Sequence, residues 1–559
     1  MKLGRMRDRE KVRYGGVRRG QMLLQPFLFL CALVAGFGLL TLALRPLDPP
    51  IVVDFPVQVG LGDSKVSSID GGIVVASERL GNRVEKSCAT VEEMGHDFRS
   101  VDWKENLRVR RIIENHFIVN GASRIRDLPP EQFCSHGFVL GKTSEAGFGN
   151  EMYKVLTAAA LSVMLNRSLI IGQTRGKYPF GDYISYPNFT FTMKEIKHLW
   201  RQNSCESKYG RHLIMRTDDF EKPAQTNVLC GNWKKWKQPI IWLQGTTDAV
   251  AAQFFLKNIH HEMRTAASDL FGDPLVLGSR PNVFGELMRV LISPSKDVEA
   301  AVNWVIDGRE DPDISIHMRM FMNRSVRAVQ AALRCIKKAI RNQNLRLRPK
   351  VVLVSDTPSV VKSMIRNISE FAEVLHFNYE HFRGNIHKEF LKSDFRVKDW
   401  GSAPRWVAFV DFFLASRAKY AVVSGAHRRV GTTYAQLVAA LAATRNLGDN
   451  TTTSNFAFFS SFQSNLLTAG LKNQIGWGHV WNRFAGPLSC RSQANQCAFT
   501  PLLPPGWWDG LWQSPIPRDI NRLASYGVKL SGLGTVNDVS LQNYCNSRKN
   551  VVRTVKFKL

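Results

Sequence analysis

The sequence predicts an α/β protein built from two doubly wound units in tandem. Short apolar runs of strand type alternate with helical patterns as far as residue 445, and an apolar content of 44% is enough for two large cores. Such alternation of strands and helices is typical of parallel sheets. A second series of elements begins near Ser295, so we assign residues 131–294 and 295–445 to separate units with a cleft between them.

The first unit begins with a strand, a glycine-containing turn, a buried helix and a second strand. These elements are predicted at residues 138–140, 144–151, 152–166 and 168–172, in that order. Apolar residues at helical spacing indicate the helix, and a strand–helix–strand unit has a right-handed crossover by default. Further helical patterns occupy residues 193–202 and 250–270.

The second unit repeats this alternation. Helices are predicted at residues 298–306, 326–341, 359–365, 406–419 and 432–443, and strands at residues 314–320, 351–354 and 420–423. The strands are apolar runs that end at polar residues, as expected for buried parallel strands. The sequence therefore predicts a second parallel sheet with polar residues along one edge.

The N-terminal part predicts a membrane anchor. Residues 22–44 lack charged side chains, and their uninterrupted apolar part, 27–44, is long enough to cross a bilayer. Eight lysines and arginines precede this stretch and only Arg45 follows closely, so the positive-inside rule keeps the N-terminus in the cytosol. We expect a single-pass type II protein of the Golgi membrane, with a retained signal anchor rather than a cleaved signal peptide.

Three further segments flank the folded units and the span. Residues 1–21 form the cytosolic tail. Residues 45–130 are predicted to be a lumenal stem of linker-type sequence that becomes ordered toward its end, where residues 103–119 have a helical pattern. Residues 446–559 form an irregular C-terminal extension rich in aromatic residues.

Charge and cysteine content narrow the classes of ligand and compartment. The net charge of +28 fits a solvated basic surface, or binding to nucleic acid, an anionic glycan or an anionic nucleotide donor. The predicted membrane span disfavours nucleic acid. Eight cysteines outside that span are compatible with disulfides in an oxidising lumen, and no Cys-x-x-Cys pair indicates a metal site. Five Asn-x-Ser/Thr sequons are compatible with a glycoprotein.

Polar residues follow three strands of the second unit and are candidates for binding a diphosphate ligand. His317 and Arg319 end the first of these strands, Ser355 and Asp356 follow the second, and Ser424 ends the third. Because the carboxyl ends of parallel strands meet at one edge of the sheet, these side chains are expected to lie around one ligand.

Each candidate also has a structural interpretation, and the residues alone leave both open. The Arg319 guanidinium suits phosphate oxygens, but it equally suits an ion pair between the two units. His317 by itself is commonly a structural hydrogen-bonding residue. The Asp356 carboxylate can accept hydrogen bonds from a nucleoside, or belong to a turn or N-cap before the following helix. Thr432 begins a helix whose N-terminus can bind phosphate or simply be capped.

The turn before the first predicted helix contains Gly147, Gly149 and Asn150. It has only two of the three glycines of a dinucleotide-binding loop, so it indicates such a site weakly. Close approach of the backbone to a sugar is an equally good interpretation of these glycines.

Together, the motifs resemble those of the GDP-fucose-dependent fucosyltransferase superfamily, which includes core α-1,6-, plant xyloglucan- and protein O-fucosyltransferases. Residues 316–319 are similar to the first motif of that group, residues 352–358 to the second and residues 411–434 to the third, while residues 147–150 resemble its glycine loop. The resemblance covers roughly residues 135–445. It implies the GT-B fold, in which two Rossmann-like domains flank a cleft, a GDP-fucose donor, and no metal or other cofactor.

The resemblance also implies roles for the candidate residues. Arg319 is expected to hold the donor pyrophosphate and to act in catalysis. Asp356 is expected to contact the nucleoside, while Ser424 and Thr432 place hydroxyl groups near the pyrophosphate.

The sequence departs from the family pattern at the catalytic base. Core α-1,6 enzymes have an acidic residue shortly after the His-x-Arg motif, whereas residues 320–326 contain none. Some protein O-fucosyltransferases carry a glutamate just before the glycine loop. Glu145 has a similar place here, so we assign it as the general base, whereas Glu151 is explained as an acid at a helix N-terminus. Arg428 and Arg429 stand where relatives tend to have small hydroxyl residues.

The predicted function is that of an inverting Golgi fucosyltransferase, which transfers fucose from GDP-fucose to a hydroxyl group of a glycan or glycoprotein. The expected partners are the nucleotide sugar, the acceptor and the membrane, with no nucleic acid, and a homodimer is left open. Two alternatives also stay open. One is a lumenal GT-B enzyme that uses another nucleotide sugar, and the other is a non-catalytic glycan-binding protein.

Overall fold

The structure of the chain is a computed structural model. It describes residues 103–143, 147–172, 180–218, 229–244, 258–272, 281–318, 326–345, 347–384, 404, 406–424, 433–445, 457–462, 496–500, 538–547 and 553–556. No helix in this part of the chain is long and apolar enough to cross a bilayer. The predicted anchor, residues 22–44, lies outside it.

Helices and strands alternate through most of the described chain. The helices are α1 (Trp103–Val119), α2 (Ala122–Ile125), α3 (Pro130–Ser135), α4 (Phe148–Leu165), α5 (Phe180–Tyr183), α6 (Met193–Gln202), α7 (Cys205–Tyr209), α8 (His261–Phe271), α9 (Val283–Leu291), α10 (Lys296–Ile306), α11 (Val326–Asn342), α12 (Pro358–Ser369), α13 (Val407–Ala415), α14 (Thr433–Arg445) and α15 (Asp538–Asn546). The strands are β1 (Phe138–Lys142), β2 (Ser168–Gly172), β3 (Ile184–Ser185), β4 (Phe191–Thr192), β5 (Ile214–Asp218), β6 (Ile240–Gln244), β7 (Ser293–Pro294), β8 (Ile314–Met318), β9 (Lys350–Ser355), β10 (Glu373–Leu375), β11 (Tyr420–Ser424), β12 (Ala457–Phe462), β13 (Gln496–Thr500) and β14 (Arg553–Val555).

Two six-stranded sheets organise the described fold. The first has the strand order β14-β5-β6-β1-β2-β4, and the second has the order β10-β9-β8-β11-β12-β13. Neighbouring strands are parallel, except that β14 is antiparallel to β5 and β13 is antiparallel to β12. This architecture confirms the predicted α/β class, and its two largely parallel sheets are consistent with two Rossmann-like domains.

The strand order of the second sheet reverses between β8 and β11. From β8 the chain proceeds through β9 to β10 on one side of β8, and β11 and β12 then lie on its other side. All five strands are parallel, so their carboxyl ends share one edge. In open sheets of this kind, ligands bind in the crevice outside that edge, at the point where the strand order reverses.

Buried helices carry the largest apolar core, to which residues of both sheets contribute. Residues 434–444 of α14 are all buried, which agrees with a sequence of small and apolar residues around the whole helix. A second core lies between one face of the second sheet and helices α11 and α12. A third core, which contains Trp200, covers the first sheet on the side of α6.

Helix α1, from the end of the predicted stem, contributes to the largest core. Val109 and Ile113 are fully buried in it. The Arg110 guanidinium donates to the Glu286 carboxylate of α9 from Nε, at 2.9 Å, and from Nη2, at 3.0 Å. The same Nη2 donates to the backbone oxygen of Thr444 in α14 at 3.1 Å. One buried cation therefore joins α1, α9 and α14.

The C-terminal segment returns to the first sheet. Strand β14 extends that sheet beside β5, and Cys545 of α15 forms a disulfide with Cys230, 315 residues earlier in the chain. A second disulfide joins Cys134 and Cys205, and Cys335 is disulfide-bonded too. The predicted use of cysteines in disulfides is thus confirmed for these residues.

The bounds of several elements differ from the sequence prediction. Helix α4 starts at Phe148, so residues 148–151, which we predict as part of a turn, form its first turn. The N-cap is Gly147, whose extended backbone (φ −66°, ψ 159°) ends the preceding loop. The helix predicted at 406–419 ends at Ala415, because a turn from Ser416 onward leads directly into β11. Strands β12, β13 and β14 occur in the extension for which we predict no regular pattern.

Candidate functional site

The candidate site lies at the carboxyl edge of the second sheet. His317 of β8 is in register with Val354 of β9 and Val423 of β11. Ser355 ends β9 beside Met318, and Asp356 follows it directly. The topology thus brings the ends of the first two motifs together at the reversal point between β8 and β11.

His317 is half-buried and lies against an aromatic ring of the neighbouring helix. The centroids of its imidazole and of the Tyr434 ring are 4.9 Å apart, with 33° between the ring planes. The Tyr434 hydroxyl donates to the backbone oxygen of Ala408 at 2.7 Å. Helices α13 and α14 therefore fix the ring that supports the imidazole. Tyr434 ends the third motif, but no local pattern predicts its contact with His317.

Ser355 and Asp356 form the turn that leads from β9 into α12. The Thr357 amide donates to Ser355 Oγ at 3.3 Å, and the Thr357 hydroxyl donates to Asp356 Oδ1 at 3.2 Å. The N-cap of α12 is Thr357, and Pro358 follows it at the first helical position. Asp356 therefore lies in the turn of the structural alternative and is not the N-cap, and its carboxylate is half-buried at the sheet edge.

The glycine loop of the first unit meets the start of α14. A Cβ atom on Gly149 would lie 2.5 Å from the Tyr434 backbone nitrogen and 2.6 Å from Thr433 Oγ1. The Thr433 hydroxyl donates to Asn150 Oδ1 at 2.8 Å. Gly149 thus permits close approach of the two helix N-termini, since any side chain there would overlap the α14 backbone.

Aromatic packing surrounds this contact. The Phe148 ring lies 5.0 Å from the Phe409 ring, 4.6 Å from the Phe412 ring and 5.3 Å from the Tyr434 ring, measured between centroids. It also stacks on Phe180 at 5.4 Å. The beginning of α4 is therefore fixed against α13 and α14, close to the ring that supports the imidazole at the end of β8.

Two acids lie near the glycine loop in the sequence, Glu145 and Glu151, and the structure describes only Glu151. Glu151 is fully buried, and its Oε1 accepts a hydrogen bond from Lys154 Nζ at 2.8 Å. This ion pair within the first turns of α4 suits a structural acid. Glu145 lies outside the described residues, as do Arg319 and Thr432. Ser424 ends β11, where its backbone is described but its side chain is not.

Asp411 is a buried carboxyl group that sequence reasoning treated only as part of the third motif. It lies in α13 among otherwise apolar residues, and its Oδ1 has no hydrogen-bond partner among the residues that the structure describes. Burial raises its pKa well above the usual range of an aspartate. A single acid in the run 407–415 was the signal in the sequence. Within the described residues, no cluster of three His, Cys, Asp or Glu side chains is placed to hold a metal ion.

Comparisons with known proteins identify one family and several solved structures. The model of a family of unknown function, DUF7810, matches residues 83–557. No curated protein matches the sequence. A solved structure of an Arabidopsis thaliana FUT1 mutant in complex with GDP is 12% identical, over 63% of this chain and 78% of that one, with a TM-score of 0.40. The fucosyltransferase NodZ from Bradyrhizobium is 12% identical, over 58% of this chain and 95% of that one, with a TM-score of 0.33.

Proposed function

The chain belongs to the DUF7810 family, whose function is unknown, and we propose that it is a glycosyltransferase that uses GDP-fucose. The observation that carries this proposal is the placement of His317, Ser355 and Asp356 at the carboxyl ends of two neighbouring parallel strands, beside the point where the strand order reverses. These residues belong to two of the motifs that resemble those of GDP-fucose-dependent fucosyltransferases. Ligands of open α/β sheets bind in the crevice outside this edge, so the proposal places the nucleoside diphosphate there.

In the proposed reaction, a hydroxyl group of a glycan or glycoprotein attacks the anomeric carbon of fucose. The bond from that carbon to the diphosphate oxygen breaks on the opposite face, so the configuration inverts and GDP leaves. The Arg319 guanidinium stabilises the negative charge that develops on the diphosphate. Glu145 accepts the proton of the attacking hydroxyl.

The other candidate residues bind the donor. The Asp356 carboxylate accepts hydrogen bonds from the nucleoside. Ser424 and Thr432 donate hydrogen bonds to the diphosphate, next to the positive end of α14. The His317 imidazole is held by Tyr434 beside the backbone that leads to Arg319. We propose that the Arg319 guanidinium and the positive end of α14 balance the diphosphate charge without a metal ion.

We propose that the enzyme works in the lumen of the Golgi, anchored by residues 22–44. Two observations support this setting. The apolar stretch is preceded by a basic segment, and the folded part carries disulfides, which persist in oxidising compartments.

Calorimetric titration of the full-length chain with GDP, UDP and GDP-fucose tests the donor. We expect GDP and GDP-fucose to bind more tightly than UDP. Arg319→Ala and Asp356→Ala should each weaken GDP binding by about tenfold or more, as the loss of a hydrogen bond to a charged group predicts. Arg124→Ala, which removes an exposed arginine from α2, is the matched control and should leave the affinity unchanged.

The other outcomes separate the alternatives. A preference for UDP would assign a different nucleotide sugar to the same fold. Absence of nucleotide binding by a folded sample would contradict the proposal and favour a non-catalytic glycan-binding protein.

A further inference from the structure

Helices α11 and α12 carry a strongly basic surface outside the candidate site. From residue 320 to residue 354 the chain contains nine lysines and arginines and no aspartate or glutamate. The next helix, α12, likewise contains two cations and no acid. This local excess is much larger than the whole-chain ratio of 75 basic to 47 acidic residues predicts.

The cations of α11 occupy the face opposite its buried one. Four residues of the helix are fully buried in the core beneath it, namely Ala332, Cys335, Ile336 and Ala339. Arg334, Lys337 and Arg341 are exposed. Spacings of three, four and seven residues place these three side chains along one face of a helix. The α11 surface is therefore a row of cations.

The basic surface continues from α11 onto α12, because the two helices cover the same core and touch beside it. Lys337 Nζ lies 4.8 Å from the centroid of the Phe371 ring, just after α12. Arg348 Nη2 donates to the backbone oxygen of Ser369, the last residue of α12, at 3.1 Å. We call the exposed cations of both helices and of their connection the basic face: Arg334, Lys337, Arg341, Arg348, Lys362 and Arg366.

None of these six side chains forms an ion pair within the described part of the chain, although other surface cations do. Arg126 pairs with Glu195, and Arg417 Nε lies 2.6 Å from Asp311 Oδ1. Glu373 of β10, the strand that follows α12, pairs with Arg309 and not with any of the six. The neighbouring Lys338 has a lowered pKa because of burial and the charge of Arg341. Like charges at this density repel one another, so an anionic partner would stabilise the surface.

We propose that the basic face binds an anionic polysaccharide, one whose sugars carry carboxylate or sulfate groups. Arginine binds such groups through two parallel hydrogen bonds, and a row of cations suits a linear polyanion. The disulfides favour an oxidising compartment, which lacks nucleic acid. The apolar faces of α11 and α12 are buried in the protein core, and among the described residues of this region Leu347 is the one large apolar side chain that is exposed. A membrane-surface helix instead keeps its apolar face free for lipid.

The polymer would lie on the exposed surface of α11 and α12, the helices that cover one face of the second sheet. This binding does not depend on the proposed transfer reaction. Helix α11 follows β8, so its N-terminal end is on the side of the candidate site and its C-terminal end is on the opposite side. A polymer aligned with α11 would therefore be held with one end directed toward the carboxyl edge of the sheet.

Binding of the full-length chain to immobilised polygalacturonate and heparin tests this proposal at physiological ionic strength, with dextran as the neutral polysaccharide. The basic-face variant combines Arg334→Gln, Lys337→Gln and Arg341→Gln. The control variant combines Lys194→Gln, Arg201→Gln and Lys208→Gln, which removes three exposed cations from α6 and α7. Both variants lose the same net charge, and all six substitutions are on the surface.

We expect the wild-type chain to bind at least one of the two polyanions and not dextran. The basic-face variant should bind about tenfold more weakly, and the control variant within about twofold of wild type. Equal losses in both variants would overturn the proposal, since net charge alone would then explain binding. Absence of binding to both polyanions would also overturn it, and so would binding only to phosphatidylcholine vesicles that contain phosphatidylserine.

GDP titration of the same two variants separates this proposal from the proposed function. Polysaccharide binding that persists in a chain unable to bind GDP would contradict the glycosyltransferase and leave the basic face supported. Unchanged thermal unfolding of both variants would confirm that the substitutions leave the fold intact.

Discussion

The carboxyl edges of the two sheets differ in what lies there. At the carboxyl end of β1, the loop leads into α4, whose first residues pack tightly against α14 through Gly149 and Phe148. At the carboxyl ends of β8 and β9, the chain instead presents His317, Ser355 and Asp356. The first edge therefore holds the helices together, while the second edge retains the polar groups that a ligand needs.

Surface charge also differs between regions of the molecule. Cations such as Arg126 and Arg211 near the first sheet, and Arg417 near the second, pair with carboxylates. The six cations of the basic face have no such partners within the described residues. The comparison teaches that the carboxyl edge of the second sheet and the basic face carry polar and charged groups that packing leaves unexplained.

The packing of α1, α9 and α14 depends most strongly on the buried ion pair of Arg110 and Glu286. Glu286→Gln should lower the free energy of unfolding by about 3–5 kcal/mol, because it leaves a buried guanidinium without its counter-charge. The side chains of the pair are 5% and 1% exposed, so water cannot replace the lost partner. Urea-induced unfolding at neutral pH measures the effect.

The matched control is Glu105→Gln, which breaks the more exposed pair of Glu105 and Arg108 in the same helix. We expect a cost below about 1 kcal/mol there. Similar effects of the two substitutions would show that the buried pair does not hold α1, α9 and α14 together.

A smaller effect is expected at the glycine loop. Gly149→Ala should destabilise the chain by about 2–3 kcal/mol, because the added Cβ would overlap the backbone at the start of α14 and force the helices apart. Thermal unfolding, followed by circular dichroism, measures the change.

The control for this substitution is Gly172→Ala, at the end of β2. A Cβ atom there would lie 3.0 Å from Leu140 Cδ1 and 3.2 Å from Met193 Cγ, which belong to flexible side chains and not to backbone. We expect a cost of about 1 kcal/mol or less, because these side chains can shift. If Gly149→Ala cost no more than Gly172→Ala, close approach to the α14 backbone would not explain the glycine.

The sequence predicted those parts of the fold that depend on local pattern. The strands β8, β9 and β11 are apolar runs of nearly the predicted bounds, and their order along the chain was enough to place His317 and Asp356 at one edge. Hydrophobic periodicity specifies such elements because each buries its own residues against the sheet.

Features that depend on distant contacts could not be predicted. The disulfide of Cys230 with Cys545 joins residues 315 positions apart, and no local pattern specifies that pair. The role of Gly149 depends on the backbone of α14, which only the folded chain brings near. The isolated acid Asp411 was visible in the sequence, but its burial and raised pKa follow from the packing of α13.

The free energy of unfolding should also fall at acid pH because of a buried histidine in α1, His116. The pKa of His116 is lowered to about 4, mainly because the imidazole is buried. A backbone hydrogen bond of Arg167 raises this pKa, and the nearby charge of His136 lowers it. The unfolded chain takes up this proton near its ordinary pKa of about 6.5. The contribution of neutral His116 to stability is therefore complete above about pH 6.5 and is lost as the pH falls toward about 4.

Replacing His116 should reduce the loss of unfolding free energy at acid pH. His116→Gln should reduce the loss of unfolding free energy between about pH 6.5 and about pH 4 by roughly 1 kcal/mol per pH unit, since one fewer proton is taken up on unfolding. Urea-induced unfolding at several pH values in this range measures the slope. The matched control is His198→Gln, which replaces an exposed histidine of α6, and its slope is compared with that of His116→Gln. An unchanged slope in His116→Gln would contradict the assignment and direct attention to His136, which burial also gives a pKa of about 4.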